Sequence, residues 1–305
     1  RDHCVTGVQT CALPIYSGDS ACVIPPFTLS PEVLAEIRSA TRAMAEKLHV
    51  VGLMNVQFAL KKEDSGEQRV YVLEVNPRAS RTVPFVAKAT GVAVANIAAK
   101  VMVGKKLRDL GVNAEPVPKS ISVKEAVFPF RKFAGVDIVL GPEMRSTGEV
   151  MGIAEDFAVA FNKSQIASGT LLPETGNVFL SIASRQRQGI DCLAKQLHDM
   201  GYKLLATSGT AAEIEKAGIP VTRIKKLADG NPNLIDYLKN DDVSLIINTP
   251  NGKGARTDEG KIRAASVQFG VPCITTLSAG RVAVEAMQAI RNKPMEVLSL
   301  QERFQ

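Results

Sequence analysis

Val72-Leu73-Glu74-Val75-Asn76 alternates apolar and polar side chains. A period of two puts Glu74 and Asn76 on one face of a strand, about 7 Å apart. Pro77 cannot continue a ladder, so Asn76 stands at a strand end, where loops build sites. Gln57, also set between apolar neighbours, lies on the preceding strand, and a hairpin brings it alongside. One carboxylate with two amide oxygens is a hard donor set, suited to a Mg²⁺ ion that keeps its waters and bridges the phosphates of ATP. Arg78 and Arg81 follow within a turn and supply fixed donors for phosphoryl oxygens as charge moves in transfer. The plainer alternative is a strand with a solvated polar face and two surface arginines.

A second group of polar residues collects where apolar runs end. Thr207-Ser208-Gly209-Thr210 closes the run Lys203–Ala206 and opens a helical pattern, so hydroxyls and free N–H groups converge on one spot. Lys226 ends the next run, and Asn248-Thr249 ends Val243–Ile247. In an open α/β sheet, ligands bind beyond the carboxyl ends of the strands, which makes this rim a candidate phosphate pocket. Ordinary capping of a helix by Thr207 and its neighbours is the alternative. Gly252-Lys253-Gly254 lacks the third glycine of a dinucleotide fingerprint and reads as a loop. His49 and His198 have no carboxylate or cysteine partner at useful spacing. Cys22, Cys192 and Cys273 sit among apolar neighbours and read as small core residues.

The elements that must position these groups fall into two textures. Ser30-Pro31-Glu32 starts a helix that keeps apolar spacing through Leu34, Ile37, Met44 and Leu48. Val51–Leu60 and Arg69–Val75 read as paired strands joined by the charged Lys61–Gln68 connection. Val83–Val103 reads as buried helices, Lys119–Phe128 as a strand and Gly141–Val150 as a polar loop. From Val178, short apolar runs alternate with helical patterns, which argues a parallel sheet covered on both faces. The boundary falls in Ser168–Asn177, rich in Gly, Pro and Thr, giving units over 16–168 and 169–305. Arg1–Ile15 keeps no period and resembles translated adapter sequence, so residues 1–15 stand outside the fold. Its Cys4, Cys11 and His3 fit no common zinc spacing.

In 305 residues, 45% hydrophobic and 22% charged residues describe an ordinary globular protein and exclude a disordered or fibrous one. The net charge of +6 is spread without a basic block, which argues against nucleic acid as partner. No run reaches the roughly 18 apolar residues of a membrane helix, so no membrane role is expected. Five cysteines without a CxxC pair favour a reducing, cytoplasmic setting.

LEVNPRASRTVPFVAKATG (Leu73–Gly91) closely resembles the last catalytic strand and following loop of the ATP-grasp fold in the large subunit of carbamoyl phosphate synthetases. SVKEAVFPF (Ser122–Phe130) and GPEMRSTGEVMG (Gly141–Gly152) match the second synthetase half of that family almost word for word. The resemblance implies an α/β chain: the C-terminal part of an ATP-grasp domain, then a doubly wound parallel-sheet, methylglyoxal-synthase-like domain. It implies that Gln57 and Glu74 are ligands of ATP and of Mg²⁺ or Mn²⁺, with Asn76 a further metal ligand. Arg78 and Arg81 fall on phosphate-side arginines, and Ser17 lies in a segment beside the adenosine, where Tyr16 replaces the family's histidine. Some members carry an ornithine site at positions matching Asp19, Glu125 and Thr275. No K⁺ or zinc site is implied.

ATSGTAAEIEKAGI (Ala206–Ile219) and SLIINTPNGKGARTDEGKIRAASV (Ser244–Val267) resemble the domain of the same family that binds UMP or IMP. Arg187, Thr207, Thr210, Lys226 and Asn248 match its nucleotide contacts. Arg187 replaces a lysine of some members, and Pro250 replaces a threonine near the ribose. The aspartates that methylglyoxal synthase uses have no match, so the domain reads as regulatory. The intact family member phosphorylates carbamate with ATP, feeds pyrimidine and arginine synthesis, and pairs with a glutamine amidotransferase small subunit. The chain is expected to be a C-terminal fragment, its adenine-side lobe lying before Tyr16, and to be inactive by itself. A nucleotide-binding module without catalysis, or a methylglyoxal synthase relative, are the rival readings.

Overall fold

A computed structural model describes residues 18–26, 28–62, 66, 68–132, 144–249, 258–292 and 295–304. The chain opens with β1 (Cys22–Ile24), α1 (Pro31–Lys47), β2 (Asn55–Lys62) and β3 (Gln68–Asn76). Helices α2 (Thr82–Thr90) and α3 (Val94–Met102) follow, then β4 (Ile121–Val127), β5 (Gly148–Ala154) and α4 (Phe157–Ala167). The second half runs β6 (Asn177–Ser181), α5 (Ile190–Asp199), β7 (Lys203–Thr207), α6 (Ser208–Lys216) and β8 (Thr222–Ile224). It continues with α7 (Leu234–Lys239), β9 (Leu245–Asn248), α8 (Asp258–Phe269), β10 (Cys273–Ile274), α9 (Leu277–Asn292) and α10 (Leu300–Arg303).

Local chemistry sets several ends. The Ser30 side chain accepts from the Val33 N–H at 3.4 Å, and Pro31 opens α1 at a position where its missing N–H costs nothing. Asp156 caps α4 by accepting from the Val159 N–H at 3.2 Å. Gly91 closes α2 in the left-handed region at φ 72°, a conformation that favours glycine.

Strands β2 and β3 form an antiparallel hairpin, and β1-β4-β5 form a small antiparallel sheet. Two readings move here. The first strand begins only at Asn55, four residues after Val51, and Gly148–Val150 is ladder rather than loop, because Val127 pairs with Gly148 and Glu125 with Val150. Turn-forming composition gave way to the hydrogen bonds that β4 offered.

The second half is a five-stranded parallel sheet in the order β10-β9-β6-β7-β8. Alternate residues face opposite layers. Val178, Leu180, Leu204, Ala206, Leu245 and Ile247 pack towards α5, α6 and α9. Phe179, Leu205 and Ile246 pack towards Leu234 and Leu238 of α7 and Ile262 and Ala265 of α8. Cys192 is exposed, and Cys22 and Cys273 are half-buried, so none of the three is the core residue that its neighbours suggested. On a helix, Cys192 lies one position off the buried Leu193, Ala194 and Leu197 stripe. His49 and His198 are exposed. Among the described residues, no single helix is long and apolar enough to cross a membrane.

The halves share one core. Val123 and Ala154 of the small sheet and Ala160 and Phe161 of α4 belong to the same cluster as the upper layer of the parallel sheet. Gly152 lets α4 approach: a Cβ there would lie 2.1 Å from the Ala160 carbonyl oxygen and 2.6 Å from the Ser164 nitrogen. Both obstacles are backbone, so Gly152→Ala must push the helix off β5. It is expected to lower stability by at least about 1–3 kcal/mol, read as a lower guanidinium midpoint. An unchanged midpoint would mean that α4 shifts freely.

Candidate functional site

The hairpin register sets the first site. Gln57 lies opposite Glu74 and Asn55 opposite Asn76, with a bulge between Gln57 and Phe58. Cross-strand partners share a face, so four polar side chains gather on one side of the ribbon. The Asn76 amide Nδ2 donates to Glu74 Oε1 at 2.8 Å, which shows the pair on the same face, as alternation required. The amide oxygen and nitrogen of Gln57 are both buried without a hydrogen-bond partner. Asn55 escaped the sequence reading, although applying the same period of two to β2 places it beside Gln57.

Three segments distant in the chain meet at Arg81. Arg81 Nη1 donates to Ser146 Oγ at 3.0 Å and to the Ser146 carbonyl at 3.4 Å. Ser146 Oγ donates to the Gly18 carbonyl at 2.8 Å. Asp19 is buried and accepts from the Arg145 and Ser146 N–H groups at 2.8 and 2.9 Å. Arg81 is thus held by a latch, whereas Arg78 is exposed and, among the described residues, donates only to the neighbouring Ala79 carbonyl at 3.1 Å. Ser17 lies outside the described residues.

The second site forms along the carboxyl ends of the parallel strands. Ser181 pairs with Asn248, and Thr207 pairs with Ile224. The strand order reverses between β6 and β9, the switch point where such sheets take ligands. Asn248 sits there fully buried, with both amide atoms lacking a partner. Thr207 is the N-cap of α6 but makes no capping bond with its side chain, which weakens the capping alternative. Arg187 Nε donates to the Ile182 carbonyl at 3.0 Å. Its guanidinium covers Gly209, where a Cβ would come within 2.6 Å of Nη2. A cation beside the positive end of a helix is favourable only where an anion joins them.

The Thr210 hydroxyl is buried and accepts from the Ile182 N–H at 2.9 Å, so its side chain ties α6 to the end of β6 rather than standing free. Helix α6 begins at Ser208, three residues before Ala211. Lys226 is exposed just beyond β8 and forms no ion pair with any described residue. Pro250, the Gly252–Gly254 segment and the Cys4, Cys11 and His3 group lie outside the described residues.

The chain is similar to known proteins over most of its length. Residues 1–110 match the carbamoyl-phosphate synthase L chain, ATP binding domain, and residues 189–275 match the MGS-like domain. The carbamoyl phosphate synthase large chain of Rhodopirellula baltica is 66% identical over 290 residues, 95% of this chain and 27% of that one. That of Methanoculleus marisnigri is 50% identical over 93% of this chain and 26% of the relative, and that of Myxococcus xanthus 48% over 94% and 26%. Over nearly its whole length the chain is similar to carbamoyl phosphate synthase large chains. It spans about a quarter of the length of the curated relatives it matches. The fold is accordingly ATP-grasp material followed by a doubly wound, methylglyoxal-synthase-like domain.

The donor set fits the divalent ion of an ATP-binding site. Gln57 has a buried, unpartnered amide beside the Glu74 carboxylate, and carboxylate and amide oxygens are hard ligands. No group of three His, Cys, Asp or Glu that could hold a metal occurs among the described residues.

The trio Asp19, Glu125 and Thr275, matched to an ornithine site, shares no hydrogen bond. Both Asp19 oxygens are already engaged by the latch, which gives that carboxylate a structural role here. Gln165 Nε2 of α4 donates to Glu125 Oε2 at 2.8 Å, and Thr275 lies half-buried beyond β10. Burial pushes the Glu125 carboxyl up to about 7 from 4.5, against the pull of the Ala126 N–H, the Gln165 amide and Lys124. A folded-state value above the unfolded one means stability that is full below about pH 4.5 and lost as pH rises through about 7, by up to about 3 kcal/mol. Glu125→Gln is expected to flatten the fall in unfolding free energy between pH 5 and 8. A variant with the wild-type slope would assign the slope to another group.

Proposed function

We propose that this segment supplies the metal-side and phosphate-side groups of a site that phosphorylates carbamate with ATP, together with a nucleotide-responsive regulatory domain. The observation that carries the reading is the convergence of Gln57, Glu74 and Asn76 on one face of the β2–β3 hairpin. A carbamate oxygen attacks the γ-phosphoryl group, forming carbamoyl phosphate and releasing ADP. Gln57, Glu74 and Asn76 would hold Mg²⁺ or Mn²⁺, which when bound neutralises charge on the phosphoryl oxygens. Arg81, fixed by Ser146, orients towards the transferred group, and Arg78 adds a second cation at the strand end.

At the rim, the backbone N–H groups opening α6, with Arg187 and Lys226, take the phosphate of UMP or IMP, and the Asn248 amide takes a sugar or base edge. In the assembled enzyme a glutamine amidotransferase small chain delivers the ammonia, and the setting is cytoplasmic, in pyrimidine and arginine synthesis. The domain boundary is placed at 168/169, between α4 and β6.

The test joins this segment to the preceding three quarters of the Rhodopirellula baltica large chain and assays the chimaera with its small chain. ATP-dependent, divalent-metal-dependent carbamoyl phosphate formation is expected. A folded chimaera that binds ATP but forms none would overturn the reading.

A further inference from the structure

We propose that the C-terminal strap Ser299–Phe304 positions Arg81 by bracing the far end of α2. The strap holds its own shape through a capping box: the Glu302 N–H donates to Ser299 Oγ at 3.2 Å, and the Ser299 N–H donates to Glu302 Oε2 at 2.8 Å. Arg303 then reaches across the small sheet. Its Nη1 donates to Ser120 Oγ at 2.9 Å and stands 3.5 Å from Glu155 Oε1, and Ser120 Oγ donates to the same carboxylate at 2.8 Å. Ser120 immediately precedes β4 and Glu155 immediately follows β5, so one largely buried guanidinium bolts together two strand ends.

Phe304 makes the second contact. Its ring lies against Gly91, where a Cβ would come within 2.9 Å of a ring carbon. Gly91 is the C-cap of α2, and Arg81 is the N-cap of the same nine-residue helix. A helix of that length is a rod of about 13 Å, anchored by buried Phe85 and Ala89, so support at one end limits motion at the other. The strap is also joined to the regulatory domain: α9 begins one residue after Thr276 at the rim, packs on α4 and leads into the strap. The rim and the strap thus lie at opposite ends of one stretch of chain, with α9 packed on α4 between them.

The inference rests on the reading of Arg81 as a phosphate-side group, and its test does not need turnover. Amide hydrogen exchange of the 305-residue chain is compared for wild type, Arg303→Gln, Phe304→Ala and Phe304→Tyr. In Arg303→Gln and Phe304→Ala, exchange across residues 82–91 and at the 144–147 loop should quicken about ten-fold, with β6, β7 and β9 unchanged. Phe304→Tyr, which keeps the ring, should stay at wild-type rates. Uniform quickening throughout the chain would mean a merely structural tail, and unchanged exchange at 82–91 would remove the brace; either result overturns the proposal. In parallel, calorimetry with UMP and IMP reports whether the rim binds. Where it does, nucleotide should alter exchange at 82–91 in wild type and not in Phe304→Ala. Where it does not, the effector reading fails by itself while the nucleotide-free comparison still decides the strap.

Discussion

Glu74→Ala in the chimaeric large chain is expected to reduce carbamate phosphorylation by about 10²–10³-fold or more, the loss seen when a preorganised charge-stabilising group is deleted. Among Asn55, Gln57, Glu74 and Asn76, Glu74 is the only carboxylate, so its removal leaves a set of amides with no charge to balance a divalent ion. It also removes the acceptor of the Asn76 amide, which then loses its orientation. Glu74→Gln separates the two effects, because it keeps an acceptor for Asn76 while deleting the charge. The isosteric variant should therefore need more Mg²⁺ for half-maximal rate and retain a lower maximal rate. Steady-state rates over a Mg²⁺ series at saturating ATP provide the measurement. Wild-type activity in Glu74→Ala would remove the carboxylate from the site.

Lys226→Ala should weaken binding of UMP or IMP about 10- to 150-fold, since a charge-assisted contact is worth roughly 1.5–3 kcal/mol. The side chain is exposed at a strand end, so folding should be little affected. Two threonines give the contrast. Thr207 makes no capping bond through its side chain, so Thr207→Ala should lower nucleotide affinity with little change in stability. The Thr210 hydroxyl accepts from the Ile182 N–H in a buried setting, so Thr210→Ala should cost about 1–3 kcal/mol of stability by leaving that donor unpaired. Titration calorimetry with thermal unfolding of all three variants separates the roles. Equal affinity of Lys226→Ala and wild type, or no binding of either nucleotide at millimolar concentration, would displace the pocket from this rim.

Period-two alternation was enough to put Glu74 and Asn76 on one face and to pair β2 with β3, because a strand's own sequence records which side of it is wet. The parallel half was legible for a similar reason. The run Lys203–Ala206 stands as a strand that extends one residue further, to Thr207, and Asn233 to Lys239 carries its own capping box. These are local facts, settled by neighbours within a turn or a pleat. The latch was not legible: Asp19 meets Arg145 and Ser146 across 126 and 127 residues, and Arg81 meets Ser146 across 65. Nor was the start of β5, where turn formers yielded to a partner strand, or the exposed side of Cys192. The buried and unpartnered amides of Gln57 and Asn248 belong to the same class, since burial depends on what the rest of the chain lays over a residue. The sequence by itself therefore determined most of the element types, the start of β5 excepted, and the chemistry each could present. Which groups met, which were desolvated and how the strap reached Gly91 were decided by the tertiary structure, because those contacts join residues whose sequence neighbourhoods carry no record of one another.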